Sequence, residues 1–274
     1  MNVGKKGTAL ITGTTSGIGA AFAERLARDG YDLILVARRG DQLAAQAQRL
    51  QRETAVRAVA FCADLSKPED LRRVEQRIAA ESELTLLVNN AGRGDIMPFT
   101  QMSRELVENM IALNVTALTT LTHAALPGML ARGSGTIINV ASGLSFAVMS
   151  PFSVYGATKA YVAHFTELLH AEVGAKGIRL QALVPGLTRT NLGNAEEKGF
   201  FDQFPAEMVM LPADLVDASL ASLEMGELFC FPRLEDPLEW ERVSAAMRAI
   251  GTTPMSNKPA ARYGLAARRT RDAG

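Results

Sequence analysis

Short apolar runs alternate with amphipathic segments along the first 185 residues of the chain. Runs rich in Leu, Ile, Val and Ala predict β-strands over 8–12, 31–37, 55–62, 84–88, 135–141, 178–184 and 228–231. Segments with apolar residues three and four apart predict helices over 17–29, 41–50, 68–78, 109–131, 153–173, 211–225 and around 240–247. Asp41 is the expected cap of the second helix, and Gly30 the end of the first. This order predicts an α/β fold, a doubly wound parallel sheet with helices on both faces.

The rhythm of strands and helices breaks at residue 187. The segment 187–210 has no regular period but contains Phe200, Phe201, Phe204, Met208 and Met210. Long irregular segments in compact domains are often functional, so we expect a lid that closes over an apolar ligand. Permanent packing in the core or at a subunit contact is the alternative. With no internal repeat and no linker, we predict one domain over 1–250 and a C-terminal tail over 251–274.

The segment 109–131 contains no charged residue and is long enough to span a bilayer. It also contains Asn114, several threonines, His123 and Pro127, which are unusual together in a spanning helix. We therefore expect a helix buried within protein, partly against another subunit, and no membrane partner. Tyr161, Val162 and Phe165 on the 153–173 helix, with Met110–Leu130, offer more apolar surface than one sheet face can cover.

Composition narrows the class of protein further. The chain has 274 residues, 47% of them hydrophobic, with 29 basic and 29 acidic side chains. Such a chain can bury a large core, and its zero net charge gives no reason to expect a nucleic acid partner. Cys62 and Cys230 are far apart in sequence and match no zinc or disulfide pattern. The apolar run at 8–12 is too short for a signal peptide, so we expect a reducing, cytoplasmic location.

A glycine-rich turn joins the first predicted strand to the first helix. Gly13, Gly17 and Gly19 have the spacing G-x-x-x-G-x-G. A backbone without side chains at a helix N-terminus can bind the pyrophosphate of a dinucleotide. The alternative is a tight turn that serves the fold alone.

The end of the second predicted strand indicates which dinucleotide is bound. A carboxylate at this place would bind the ribose 2′-hydroxyl of NAD. The chain has Arg38 and Arg39 here instead. A guanidinium pairs well with a 2′-phosphate, which favours NADP(H) over NAD(H). Two solvated arginines with no ligand are the alternative.

Tyr155 and Lys159 lie four residues apart and so share one face of a predicted helix. An ammonium close to a phenol favours the phenolate, and we expect Lys159 to lower the pKa of Tyr155 toward the range of a useful base. Ser142 follows a predicted strand thirteen residues before Tyr155, and its hydroxyl can reach the same oxygen. Ser145, Ser150 and Ser153 lie near but do not have this spacing, and His123, His164 and His170 lack a catalytic arrangement.

These motifs together resemble one family. Its pattern is matched in order by Thr12-Gly13-x-x-x-Gly17-Ile18-Gly19, Asn89-Asn90-Ala91-Gly92, Asn114, Ser142, Tyr155-x-x-x-Lys159 and Pro185-Gly186-x-Thr188. The chain thus resembles the short-chain dehydrogenase/reductases of about 250 residues, strongly over 5–190 and by element order to about 250. The resemblance implies a Rossmann-like fold and an enzyme that acts on CH–OH or C=O groups.

The resemblance also implies residue roles. Tyr155 would be the general acid and base, Ser142 would bind the substrate oxygen, Lys159 would hold the nicotinamide ribose, and Asn114 would hold a water that links Lys159 to solvent. The cofactor would contact Gly13, Thr15, Ser16, Gly17, Ile18, Gly19, Arg38, Arg39, Asp64, Leu65, Asn90, Ala91, Gly92, Tyr155, Lys159, Pro185, Gly186 and Thr188. One departure is that relatives preferring NADP often have a basic residue in the glycine-rich turn, whereas this turn has Thr14, Thr15 and Ser16.

The sequence therefore predicts an NADP(H)-dependent oxidoreductase that transfers a hydride between the nicotinamide and an apolar carbonyl compound or secondary alcohol. A 3-oxoacyl-thioester reductase and a non-catalytic NADP(H)-binding sensor or scaffold are the alternatives. No metal is expected. Phe146, Val148, Met149 and Phe152, between Ser142 and Tyr155, favour a pocket wall over the core. Relatives of this fold commonly pair their long helices across a two-fold axis, which implies a homodimer or homotetramer.

Overall fold

A seven-stranded parallel sheet is the centre of the protein in the computed structural model, which describes residues 6–190, 199–251 and 259–263. The strands are β1 Thr8–Thr12, β2 Asp32–Ala37, β3 Ala58–Cys62, β4 Leu84–Asn89, β5 Gly135–Val140, β6 Ile178–Leu183 and β7 Phe229–Cys230. Their order is β3-β2-β1-β4-β5-β6-β7, and every neighbouring pair is parallel. The predicted fold class is confirmed.

The helices lie within the segments that apolar periodicity predicts, with small shifts at their ends. They are α1 Gly17–Arg28, α2 Gly40–Thr54, α3 Pro68–Ala79, α4 Arg104–Ile111, α5 Leu118–Arg132, α6 Ser153–Val173, α7 Pro212–Met225 and α8 Pro237–Gly251. The third strand begins at Ala58 rather than residue 55, because Ala55 ends α2 in a left-handed conformation with φ of 59°. Its predicted first residues belong to the end of this helix.

Both faces of the sheet are buried. Alternate residues of β1 point to opposite faces, so that Ala9 and Ile11 pack in one apolar cluster and Leu10 in the other. The first cluster includes residues of α1, α2 and α7, and the second includes residues of α3, α5 and α6. Helices on both faces explain why these strands are nearly all apolar instead of alternating.

The strand order reverses between β1 and β4. From β1 the chain winds outward through β2 to β3, and it then returns to place β4 on the other side of β1. Open α/β sheets bind ligands in the crevice at the carboxyl ends of strands where the order reverses. The turns after β1, β2, β4 and β5 therefore all open on one crevice.

The uncharged segment 109–131 is not the single α-helix that the sequence predicts. A π-helical turn, Ala112–Ala117, separates α4 from α5. Together, Arg104–Arg132 is long and apolar enough for a membrane span by length and composition, and 39% of its most apolar window is buried within the protein. Core helices of soluble proteins meet the same criteria. Met129 and Leu121 are fully buried against the sheet.

Two details of the predicted elements are wrong. Asp41 does not cap α2, because the helix begins one residue earlier, at Gly40, and Arg39 occupies the cap position without a side-chain cap bond. Met110 and Val162, expected on a shared apolar surface, are fully buried within the chain. The exposed apolar side chains of α4 and α6 are instead Ile111, Tyr161 and Leu168.

The chain divides into two units, Met1–Pro232 and Arg233–Gly274. The described part of the second unit contains α8 and a short 3₁₀ turn, Ala261–Tyr263. Most of the predicted tail lies outside the described residues, so the division into 1–250 and 251–274 stays a prediction. Cys62 and Cys230 are both free thiols.

Candidate active site

A cleft of about 650 Å³ opens where the strand order reverses. It extends from the glycine-rich turn after β1 to the first turns of α6. The predicted site residues that line it are Gly13, Thr15, Ser16, Gly17, Ile18, Arg38, Arg39, Leu65, Asn90, Ala91, Gly92, Ser142, Tyr155, Lys159, Pro185, Gly186 and Thr188. The fold thus brings most of the predicted set together. Gly19, Asp64 and Asn114 lie behind this wall.

The glycine-rich turn is too tight for side chains. Gly13 and Gly17 have φ of +73° and +57°. A β-carbon on Gly19 would lie 2.3 Å from the carbonyl oxygen of Gly13, which excludes any other residue there without movement of the main chain. The side chain of Ser16, which precedes α1, does not cap the helix. The free N–H groups at the start of α1 therefore lie beside glycines whose lack of a side chain lets a dinucleotide pyrophosphate approach the main chain.

Asn90 holds this turn from behind. Its side-chain amide donates to the carbonyl oxygens of Thr12 at 2.8 Å and Gly13 at 3.2 Å. Its main-chain N–H donates to the Thr12 hydroxyl at 3.0 Å. The predicted contact of Asn90 with the cofactor stays a prediction, whereas its contacts within the protein order the turn that the cofactor would bind.

The Arg39 side chain reaches across from β2 to the glycine-rich turn. Its Nη2 donates to the Thr15 hydroxyl at 2.9 Å, and its Nε lies 3.3 Å from the same oxygen. Gln46 of α2 holds the preceding residue by donating to the Thr14 carbonyl oxygen at 2.9 Å. Arg38 also lines the cleft. Two guanidinium groups therefore lie at the end of the cleft where a carboxylate would select NAD.

Asp64 does not present its carboxylate to the cleft. The carboxylate accepts hydrogen bonds from the Ser66 main-chain N–H at 3.1 Å and the Ser66 hydroxyl at 2.7 Å. Leu65 is buried and lines the cleft. Of these two predicted cofactor contacts, Leu65 therefore supplies wall surface, and Asp64 shapes the turn before α3.

Ser142, Tyr155 and Lys159 meet at the inner end of the cleft. Ser142 is the second residue after β5, and the other two residues occupy successive turns of α6 on one face. The Ser142 hydroxyl is close enough to Tyr155 to lower the pKa of its phenol. Ser142 Oγ accepts the Leu144 main-chain N–H at 3.2 Å, so its own proton remains available for donation into the cleft.

Burial controls the pKa of both groups on α6. It raises the pKa of Tyr155 to about 12, with the Ser142 hydrogen bond acting in the opposite direction. Burial also lowers the pKa of Lys159 to about 8. The expectation that Lys159 lowers the tyrosine pKa is wrong for the protein alone. Lys159 Nζ donates to the Val140 carbonyl oxygen at 2.7 Å and lies 5.8 Å from the centre of the tyrosine ring.

Asn114 is buried in the π-helical turn with its amide fully engaged. Its Oδ1 accepts the Arg93 main-chain N–H at 2.8 Å, and its Nδ2 donates to the Arg93 carbonyl oxygen at 2.8 Å and the Thr158 hydroxyl at 2.9 Å. A β-carbon on Gly92 would lie 3.2 Å from Asn114 Oδ1 and 3.5 Å from Lys159 Nζ, so both groups face the same small space. The predicted water between them stays a prediction.

The outer wall of the cleft is aromatic. Phe200 and Phe201 line it, and Phe200 contacts the rings of Phe152, Phe201 and Phe204 at centroid distances of 6.1, 5.5 and 5.2 Å. Phe204 reaches the cleft only through Phe200. The lid segment is anchored at both ends by a bridge between Thr188 and Met210. Its middle, 191–198, lies outside the described residues.

The sequence did not indicate a role for Gly94, where the lack of a β-carbon makes room for the Tyr155 ring. Nor did it indicate a role for Leu144, which lines the cleft between Ser142 and the pocket wall. Of the predicted wall residues, Met149 and Phe152 line the cleft. Phe146 instead packs with the rings of Phe229 and Phe231. No sequence motif marks these positions, because their roles come from packing between distant segments.

Comparison with known proteins gives the family. The family model described as short chain dehydrogenase matches residues 7–199. A solved short-chain dehydrogenase from Sphingobium yanoikuyae in complex with NADPH is 39% identical, with a TM-score of 0.89 over 94% of this chain and 100% of that one. The bulky-bulky ketone specific alcohol dehydrogenase from Comamonas testosteroni is 36% identical, with a TM-score of 0.86 over 94% and 98% of the chains.

One curated relative is named as inactive. The human inactive hydroxysteroid dehydrogenase-like protein 1 is 32% identical over 186 residues, which are 67% of this chain and 56% of that protein. The present chain thus spans just over half the length of such relatives.

Proposed function

The chain belongs to the short-chain dehydrogenase/reductase family, and we propose that it is an NADP(H)-dependent oxidoreductase acting on apolar ketones and the corresponding secondary alcohols. One observation carries the proposal. One cleft is lined both by the glycine-rich turn, a cradle for a dinucleotide, and by Ser142 with the buried Tyr155 and Lys159. Either feature alone occurs in proteins of other kinds.

The protein's own residues would manage the proton and the substrate oxygen. The cofactor, when bound, accepts or supplies the hydride. Ser142 has its hydroxyl proton free to donate to a carbonyl oxygen. Tyr155 is protonated at neutral pH, because burial raises its pKa to about 12, and it can therefore donate a proton to the oxygen of a ketone as the alcohol forms.

Lys159 is suited to a second role at the same end of the cleft. Its ammonium group is buried and donates to a main-chain oxygen of β5. Together with Tyr155 it would hold the ribose of the nicotinamide. A positive charge there favours the phenolate, so a bound, oxidised cofactor would make Tyr155 a better base for alcohol oxidation.

The choice of NADP(H) rests on Arg38 and Arg39. The β2 strand ends without a carboxylate, and the hydrogen bonds from Arg39 to Thr15 place a guanidinium beside the glycine-rich turn. A 2′-phosphate would accept charge-assisted hydrogen bonds from such groups. The NADPH complex of the 39% identical relative agrees with this choice. NAD(H) is the less favoured cofactor.

The substrate class follows from the aromatic and aliphatic wall. Leu144, Met149, Phe152, Phe200 and Phe201 surround the space beyond Tyr155. Such a lining has little to offer a sugar or a small charged acid, and it favours ketones with large apolar substituents. The ketone specificity named for the 36% identical relative points the same way. A 3-oxoacyl thioester, whose chain is also apolar, is the second candidate substrate.

The apolar face of α4 and α6 supports assembly into a homodimer, or a tetramer of dimers. A shallow groove there is lined by Phe99, Val107, Ile111, Val115, Ser153, Val154, Ala157 and Thr158. Phe99 is 61% exposed and Ile111 44%. A second copy of the chain packed against this groove would bury its apolar surface. A cytoplasmic location, with neither membrane nor nucleic acid as partner, completes the proposal.

A catalytically inactive binding protein is the competing function, favoured by the curated relative named inactive. The intact Ser142, Tyr155 and Lys159 argue against it. A test is NADPH consumption with a panel of diaryl and branched ketones, 3-oxoacyl thioesters and keto sugars. The proposal predicts turnover of the apolar ketones above the others. Tight NADPH binding without turnover across the panel would favour the binding protein.

A further inference from the structure

Ser145 joins the two segments that carry the catalytic groups. Its hydroxyl donates to the main-chain carbonyl oxygen of Lys159 at 2.8 Å. The Ser145 hydroxyl oxygen in turn accepts the main-chain N–H of Ser142 at 3.3 Å. A serine hydroxyl has one proton to give and lone pairs to receive, and here both capacities are used in one bridge.

The bridge complements the other contacts of the Ser142 segment. The residues before and after Ser142 are hydrogen-bonded to β6 and the segment that follows it. Ala141 N–H donates to Leu183 O at 2.7 Å, and Gly143 N–H donates to Pro185 O at 2.9 Å. Ser145 adds a hydrogen bond to α6 instead. The extended main chain of Ser142, with φ of −167°, is thus held on both sides.

The two ends of the bridge matter for the chemistry proposed above. Ser142 supplies the hydroxyl that lies near the Tyr155 phenol and lowers its pKa, and Lys159 is the residue one helical turn beyond Tyr155. A change in the separation of the Ser142 main chain from α6 would therefore change the alignment of the Ser142 hydroxyl with the tyrosine oxygen. The bridge uses only the main-chain oxygen of Lys159, so it is separate from the hydrogen bond that Lys159 Nζ donates to the Val140 carbonyl oxygen.

We propose that Ser145 is a positioning residue, which acts through Ser142 by fixing that residue's main chain to the helix bearing Tyr155 and Lys159. This inference rests on the proposed function, because it assigns a part in the same reaction. Ser145 itself is absent from the lining of the cleft. Its effect on the rate must therefore pass through the residues it holds.

The test compares Ser145→Ala, Ser145→Thr and the exposed loop variant Ser150→Ala with the wild-type chain, each in normal and Ser142→Ala backgrounds. We expect Ser145→Ala to lower kcat for ketone reduction by about five- to thirtyfold, as for loss of one positioning hydrogen bond. KM for NADPH should change little. Ser145→Thr, which keeps the hydroxyl, should restore most of the rate, and Ser150→Ala should match the wild type.

Two readouts separate positioning from mere stability. In the Ser142→Ala background, Ser145→Ala should cause little further loss, because the residue through which it acts is gone. The pH midpoint of alcohol oxidation should also move upward in Ser145→Ala, because a misplaced Ser142 stabilises the phenolate of Tyr155 less. The charged groups near this phenol are Lys159, on its own helix, and the Arg93–Asp95 ion pair on either side of Gly94, and Ser145→Ala leaves all three in place.

Equal losses from Ser145→Ala in both backgrounds, or an unchanged rate and pH midpoint, would overturn the positioning role. If the alanine variant does not fold, Ser145→Cys keeps the volume with a weaker hydrogen-bonding group and is judged by the same two readouts. A wild-type chain that reduces no carbonyl would contradict the proposed function and this inference together. If the wild type is active and Ser145→Ala changes neither the rate nor the pH midpoint, the inference alone is contradicted.

Discussion

Gly94 lies flat against the ring of Tyr155. A β-carbon at position 94 would stand 2.7 Å from Cδ2 and 2.9 Å from Cε2 of the tyrosine. Distances this short cannot be accommodated while the ring stays in place. Tyr155 is 92% buried, so its ring has little room to retreat. The lack of a side chain at position 94 therefore determines where the phenol oxygen lies.

Gly94→Ala should displace the tyrosine ring and lower kcat for ketone reduction by about tenfold or more, as misplacement of a reacting group does. NADPH affinity, measured by fluorescence titration, should remain close to that of the wild type. Gly251→Ala is the control, because a β-carbon there meets nothing within 4 Å. An unchanged kcat in Gly94→Ala would show that the ring position is not critical.

Replacement of Arg38 and Arg39 together by Ala should weaken NADPH binding by about a hundredfold or more, since each charge-assisted hydrogen bond contributes roughly tenfold or more. NADH affinity should hardly change. The matched control is Arg52→Ala, an exposed arginine of α2 remote from the glycine-rich turn. Similar losses for both cofactors, measured by calorimetry, would argue against recognition of the 2′-phosphate.

Phe201→Ala should raise KM for large aryl ketones more than for acetone-sized ones, because Phe201 lines the cleft directly. Phe204 touches Phe200 but not the cleft, so Phe204→Ala should have a smaller effect of the same kind. Steady-state kinetics on a size series of ketones measures the difference. If both variants lose thermal stability and their KM values change equally for all ketones, the two rings contribute only to core packing.

The lowered pKa of Lys159 makes stability depend on pH. The pKa is about 8 in the folded chain, against 10.5 for the free side chain. The stability gained by burying Lys159 as an uncharged amine is therefore fully present above pH 10.5 and is lost as the pH falls through 8. Lys159→Met removes this contribution, so its stability relative to the wild type should be greater at pH 7 than at pH 9.5. Urea unfolding at the two pH values tests this, and a difference that stays constant with pH would contradict it.

Ile111→Arg should disrupt assembly, because it places a charge in the apolar groove between α4 and α6. Sedimentation velocity at micromolar concentration should show a dimer or tetramer for the wild type and a monomer for the variant. Val148→Arg is the control, because Val148 is equally apolar and fully exposed but lies outside the groove. A monomeric wild type would contradict the assembly proposal.

The sheet and the main site could be predicted because they depend on local patterns. Strand β1 and helix α3 begin where an apolar run and Pro68 indicate, and the spacing of Tyr155 and Lys159 places both on one helical face. Such signals lie within a few residues of each other. The structure of the crevice then follows from the strand order that alternating strands and helices produce.

The missed features depend on contacts between distant segments. The π-helical turn that holds Asn114 arises where this helix packs around Arg93 and Thr158, and a continuous apolar helix gives no sign of it. The pKa of Tyr155 was mispredicted because burial dominates it, while the Lys159 ammonium bonds to β5 and lies 5.8 Å from the centre of the tyrosine ring. Gly94 and Ser145 act across the fold, so their roles became visible only from the assembled structure.

The most direct test of the proposed activity is a comparison of Tyr155→Phe with the wild type in NADPH-dependent reduction of a large apolar ketone. The variant keeps the ring and its packing but has no oxygen to give a proton. We predict that turnover falls by about a hundredfold or more, while NADPH still binds with nearly unchanged affinity. Turnover in Tyr155→Phe close to that of the wild type would contradict the assignment of Tyr155 as the proton donor, and with it the proposed mechanism.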